Sequence, residues 1–211
     1  MRKVYSSLIF SMSLFLFGCA SFQTAGELQH GRQALLLGKP EAALPHFQRV
    51  AEIDPNYVAR FTVWKQGVWT YIGRAYYDTQ KLPQARQALE RARSQNDDDY
   101  LAKVYYGLTL LRGGNRAQGA KEIEIGMKGL HDWLDYVEYY TPYGEFWDPG
   151  KKIRSELQSN LAMLSGKDIE WQKVIAGGEW VGKRMEEEIE HVRWDKRREL
   201  LREGDDNDAQ P

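Results

Sequence analysis

Four histidines, one cysteine and a group of acids set among aromatic rings hold most of the chemical potential of this 211-residue chain. His131 with Asp135, and His191 with Asp195, stand four positions apart, so each pair would share one face of a helix. Metal sites need three or four ligands, and two-residue coincidences are common, so no metal is expected there or at His30 and His46. Asp132, Asp135, Glu138, Glu145 and Asp148 are interleaved with Trp133, Tyr136, Tyr139, Tyr140, Tyr143, Phe146 and Trp147. Two carboxylates flanking a bond beside stacked rings is the arrangement of a sugar-cleaving enzyme, and Glu145 with Asp148 is the pair to test for it. The simpler reading is that the rings bury area and close the end of a helical stack, while the acids face water. No phosphate loop, paired-cysteine metal signature or nucleophile elbow is present. No catalytic residue and no cofactor is therefore expected.

Composition narrows the class without naming a ligand. Hydrophobic residues make up 42% of the chain and charged residues 28%, values of an ordinary globular protein. With Lys+Arg 29 against Asp+Glu 30, the net charge is -1, so no charge excess points to nucleic acid or to a basic partner.

The amino terminus is different material. Arg2 and Lys3 precede an apolar run, Leu8 to Phe17, broken only by Ser11 and Ser13, and Gly18 and Cys19 close it. A positive end, a short apolar core and a small residue describe an export signal over 1–18, and the run is too short to span a bilayer. Cys19 is the only cysteine and has no internal disulfide partner. The sequence Leu16-Phe17-Gly18-Cys19 resembles the lipobox of bacterial lipoproteins, although Phe17 is larger than usual there. The resemblance implies cleavage before Cys19, a lipid on its sulfur and acylation of the new amino end. Two or more acyl chains make a stable anchor. Ala20 stands where an aspartate would suggest inner-membrane retention, so the outer membrane is the implied address.

The elements that would position any surface chemistry follow from internal periodicity. Gly73 and Gly107 are 34 residues apart (107 minus 73). One unit reads Trp69, Ile72, Gly73, Tyr76, Tyr77, Ala85, Leu89, Ala92. Before it stand Gly31, Ala34, Gly38, Ala43, Phe47, Val50, Ala51 and Pro55, and after it Tyr106, Gly107, Leu110, Gly114, Gly119, Ile123 and Gly126. Small residues in register let two helices approach, and large ones fill the space between neighbouring hairpins, which must stack to bury their apolar faces. Residues 24 to 130 resemble the tetratricopeptide-repeat family in this pattern. The fold expected is all-α: about three helical hairpins stacked as a short solenoid over 27–130, with further helices after it. Paired helices are expected at 27–52, 57–93 and 101–128. Gly31 to Gly73 exceeds the repeat by eight residues (42 minus 34), read as a long first helix Asn56 to Asp78, with an exposed loop as the alternative. The glycines of the last unit each cost a helix about 1 kcal/mol, which predicts it to be the least rigid.

After the array, 131–150 reads as an aromatic loop, Asp148-Pro149 as a helix start, and 151–203 as helices ending in a charged solvated stretch. Gly177-Gly178 would kink or split the last helix, and 204–211 would be a frayed acidic tail. By resemblance the first helix of each repeat lines the binding surface, where Tyr71, Arg74, Asp78, Lys103 and Tyr105 are candidates. Trp133, Tyr143, Phe146 and Trp147 are candidates in the aromatic segment. The function expected is an outer-membrane lipoprotein that scaffolds other envelope proteins on its repeats and holds the membrane through Cys19, with no nucleic acid. The alternatives are a cell-wall or glycan-binding lipoprotein and an envelope hydrolase.

Overall fold

A computed structural model describes residues 22–208, with side chains to 202. Cys19 and the apolar run before it lie outside the described residues, as do 209–211. The elements are α1 (22–36), α2 (Pro40–Ile53), β1 (Val58–Phe61), β2 (Trp64–Gly67), α3 (Val68–Asp78), α4 (Leu82–Gln95), α5 (Tyr100–Arg112), α6 (Arg116–Tyr140), α7 (Lys152–Leu164) and α8 (Trp171–Asp208). None of the described helices is long and apolar enough to cross a membrane.

Three hairpins, α1–α2, α3–α4 and α5–α6, repeat one local geometry. A Cβ added at Gly31, Gly73 or Gly107 would meet Phe47 at 2.5 Å, Leu89 at 2.4 Å or Ile123 at 2.6 Å. Each partner lies 16 positions after its glycine (47 minus 31, 89 minus 73, 123 minus 107). Seven positions after each glycine the chain turns through a left-handed residue: Gly38 at φ 68°, Gln80 at φ 59° and Gly114 at φ 89°. Gln80 takes without glycine's help a conformation that costs an L-residue roughly 1 kcal/mol or more. The second helices bury matching stripes, Ala43, Leu44, Phe47 and Val50 in α2 and Ala85, Ala88, Leu89 and Ala92 in α4. Asp54 and Asn96 end these two helices in extended backbone, Asp54 because a proline follows. Asp99 and Asn115 cap α5 and α6, accepting from the N–H groups of Ala102 and Gln118.

The glycines of α6 are where backbones touch. A Cβ at Gly126 would lie 2.8 Å from the Tyr100 carbonyl oxygen and the Val104 nitrogen. The close approach of α5 sets against their helix cost a packing gain, the role that small residues in register were expected to play.

Two expectations are corrected by the inserted residues and the carboxyl-terminal third. Residues 56–67 form no helix. They form an antiparallel β-hairpin in which Phe61 pairs with Trp64 across a two-residue turn, with Thr62 at φ 54°. Exposure alternates along it, with Ala59, Trp64 and Gln66 buried and Val58, Arg60 and Lys65 exposed. Trp64 packs edge-to-face on Trp133 at 4.8 Å and lies 6.3 Å from Trp147. Neither is 131–150 a loop throughout, because α6 runs unbroken to Tyr140 and only 141–151 is irregular. Asp148 still caps the next helix, though from outside it: its carboxylate accepts from Ile153 and Arg154 N–H at 3.0 and 3.1 Å, and α7 begins at Lys152 rather than Pro149.

The last helix, α8, is continuous to Asp208, with no break at Gly177-Gly178, and it takes in 204–208 of the expected tail. Its glycines bring it close to its neighbours instead. A Cβ at Gly178 would meet Leu108 at 2.9 Å, at Gly182 the Tyr105 hydroxyl at 2.2 Å, and at Gly177 Asn160 of α7 at 2.2 Å.

Candidate functional site

Helices α1, α3 and α5, the first of each hairpin, share one face, and α8 lies across it. Glu186 of α8 sits between two buried arginines: Arg32 Nε of α1 at 2.5 Å and Arg74 Nη1 of α3 at 2.9 Å. Arg32 also reaches Glu190 at 2.8 Å, and Arg74 donates to the Gly182 carbonyl at 3.1 Å. Two turns earlier, the carboxylate of Glu179 accepts from the Tyr77 hydroxyl and from Arg112, each at 2.5 Å. Buried charges survive only when paired in this way, because an uncompensated one would lose its water without replacement.

This arrangement decides where the candidate residues stand. Tyr71 is fully buried and stacked on Phe47 at 5.0 Å, so it offers nothing to a partner. Arg74 is spent on Glu186 and Gly182. Tyr105 faces Gly182 and meets Tyr77 edge-on at 5.5 Å. Burial pushes its hydroxyl up to about 12, against the pull of Arg74. Lys103 is buried and pairs with Asp97 at 2.9 Å. Asp78 alone of these five is exposed, at the mouth of a 370 Å³ cleft that Leu36, Tyr77, Arg112 and Lys183 also line. In the aromatic segment, Trp147 is buried in the core, and Trp133 is half-buried and packs on it at 4.9 Å. Tyr143 and Phe146 are half-buried against that core, with Lys196 over the Tyr143 ring at 5.5 Å.

Residues 34–105 match the family model of the tetratricopeptide repeat. Over that stretch the chain is similar to tetratricopeptide repeats. The match takes in the last part of α1 and continues into α5, so Gly73 and the turns at 38 and 80 fall within it, and Gly31 and Gly107 do not. No curated protein and no solved structure matches the chain. Tetratricopeptide repeats are in general protein-binding, non-catalytic modules, and protein binding is the role that the match supports.

The face shared by the first helices of the hairpins is covered by α8, and the surfaces left open lie elsewhere. A groove of 720 Å³ runs between α2 and α4, lined by Gln48, Trp69, Tyr76, Gln84, Gln87 and Arg91. Arg91 lies over the Trp69 ring at 3.9 Å, the Trp69 indole donates to the Pro55 carbonyl at 2.8 Å, and Gln48 donates to the Tyr76 hydroxyl at 2.9 Å. These contacts fix the two rings in the groove, beside the aliphatic and amide groups that also line it. A second open surface is an aromatic face on α6: Tyr136, Tyr139 and Tyr140 are 57%, 72% and 76% exposed, and Tyr136 stacks on Tyr140 at 5.5 Å. Sequence reasoning placed these tyrosines in a loop with the tryptophans. Their spacing of three and four was the available sign that they share a helix face.

Proposed function

We propose that the chain is an outer-membrane-anchored lipoprotein that scaffolds other proteins of the cell envelope. The observation that carries the scaffold reading is the stack of repeat hairpins whose outer groove, between α2 and α4, stays open while α8 covers the other face. A groove with aromatic, amide and arginine side chains suits an extended peptide segment, whose backbone needs donors and acceptors and whose side chains need apolar cover. Trp69, Tyr76 and Arg91 belong to the residue types that dominate interface energies.

The anchor reading rests on the export signal over 1–18 and on Leu16-Phe17-Gly18-Cys19. Residue 22 already lies in α1, three positions after Cys19, so a lipid there would hold the repeats within about 11 Å of the bilayer surface by the reach of extended chain.

The glycan-binding alternative loses its main groups, since Trp133 and Trp147 pack on each other and on Trp64. In the hydrolase reading, both carboxylate oxygens of Asp148 are committed to the α7 amides.

Two measurements test the proposal. Cys19→Ser should move the protein from the membrane to the soluble fraction and abolish lipid labelling, and undiminished attachment would reject the anchor. Trp69→Ala combined with Arg91→Ala should reduce cross-linking to its envelope partner about tenfold or more in detergent-solubilised membranes, the size expected for two interface anchors. An unchanged cross-linking pattern in that folded variant would place the partner elsewhere.

A further inference from the structure

The repeat geometry juxtaposes positions 16 apart, and beside the Gly31–Phe47 crossing it does so for two histidines, His30 and His46 (46 minus 30). Their rings lie 5.5 Å apart, edge to face. Glu27, one turn before His30 on α1, accepts through Oε2 from the His46 ring, 2.7 Å from Nδ1. One ligand atom from each of Glu27, His30 and His46 lies within 4.8 Å of the other two. Glu27 and His46 are half-buried and His30 is exposed, so solvent reaches the point between them.

We propose that Glu27, His30 and His46 bind a divalent first-row transition-metal ion such as zinc. Two imidazoles and a carboxylate make a donor set suited to such ions, with water filling the fourth position. Metal–nitrogen and metal–oxygen bonds of about 2.0–2.2 Å set ligand atoms roughly 3.4 Å apart in a tetrahedron, within reach of small side-chain rotations from the present positions. The ion takes the place of the hydrogen shared by His46 Nδ1 and Glu27 Oε2, and that proton leaves to solvent. The second Glu27 oxygen faces Arg49 Nε at 3.9 Å, which orients the carboxylate from behind. The competing use of these groups is a plain His46–Glu27 ion pair with His30 as a bystander. Bound metal would pin α1 to α2 and stabilise the first hairpin by mass action.

The test is zinc binding by equilibrium dialysis, with melting followed in parallel. It uses the full chain carrying Cys19→Ser, free of any histidine tag, so that neither a thiol nor a tag competes. One zinc per chain and a raised Tm are expected. His30→Ala, His46→Ala and Glu27→Gln should each weaken binding by about tenfold or more and remove the Tm rise. His131→Ala, beside its own acids at the end of α6, should behave as the parent. Circular dichroism without metal checks that each variant is folded. Equal binding by the parent and the three ligand variants would overturn the site, as would no binding by the parent.

Discussion

Replacing Glu186 by alanine is expected to lower the unfolding free energy by about 3–5 kcal/mol, the scale for removing one partner of a buried ion pair. Glu186 is 2% exposed and is the carboxylate that both Arg32 and Arg74 face, themselves 0% and 3% exposed. Arg32 keeps Glu190 at 2.8 Å, but Arg74 is left with the Gly182 carbonyl as its remaining partner on α8. Two guanidinium groups then stay out of water around the space of one missing carboxylate. The cost falls on the contact of α8 with α1 and α3, so amide exchange should quicken first along α8 and along the faces of α1 and α3 beneath it. Glu186→Gln keeps volume and a hydrogen-bond acceptor and should lose less. Urea unfolding measures both variants. A loss under about 1 kcal/mol in Glu186→Ala would mean that α8 does not rest on the first-helix face in solution, and the repeats would have that face free for partners.

The second large effect has opposite signs at two helical glycines. Gly107→Ala should destabilise by about 1–3 kcal/mol, although alanine favours a helix over glycine by about 1 kcal/mol. The new Cβ would meet Ile123 Cγ1 at 2.6 Å, the Gly119 carbonyl oxygen at 2.7 Å and the Ile123 nitrogen at 2.8 Å. Two of these are backbone atoms of α6, which cannot rotate aside, so α5 and α6 must separate and loosen the packing around both. Gly26 also lies in a helix, yet nothing stands within 4 Å of a Cβ there. Gly26→Ala should therefore stabilise by up to about 1 kcal/mol. At this chain length the shifts are roughly 2–4 °C per kcal/mol, downward for one and upward for the other, and calorimetry reads both. A stabilising Gly107→Ala would refute the close crossing that defines the hairpin.

Much of the repeat architecture could be read without coordinates because it is local. Gly31, Gly73 and Gly107, with large residues 16 positions later, encode contacts that stay within one hairpin. Asp148 could be read as a cap for the same reason, since its partners Ile153 and Arg154 are five and six residues away. The hairpin at 58–67 was misread because Tyr57, Phe61, Trp64 and Val68 also fit helical spacing. What overrides that spacing is the docking of Trp64 on Trp133 and Trp147, contacts of long sequence separation. His30 and His46 carry no local sign of a pair, because sixteen positions separate them and only the α1–α2 crossing brings them together with Glu27.

By itself, then, the order of amino acids determined the hairpins, their glycine crossings and the caps, because side chains a few turns apart settle those through propensity and near-neighbour packing. Tertiary structure alone decided that α8 lies on the first-helix face and takes Tyr71, Arg74 and Tyr105 out of reach of a partner. It also decided that the tryptophans form core, and that Glu27, His30 and His46 converge. The reason is physical: an arginine such as Arg32 must be paired if it is buried, but its own neighbours do not tell which of thirty carboxylates, 154 positions away in this case, will be brought to it.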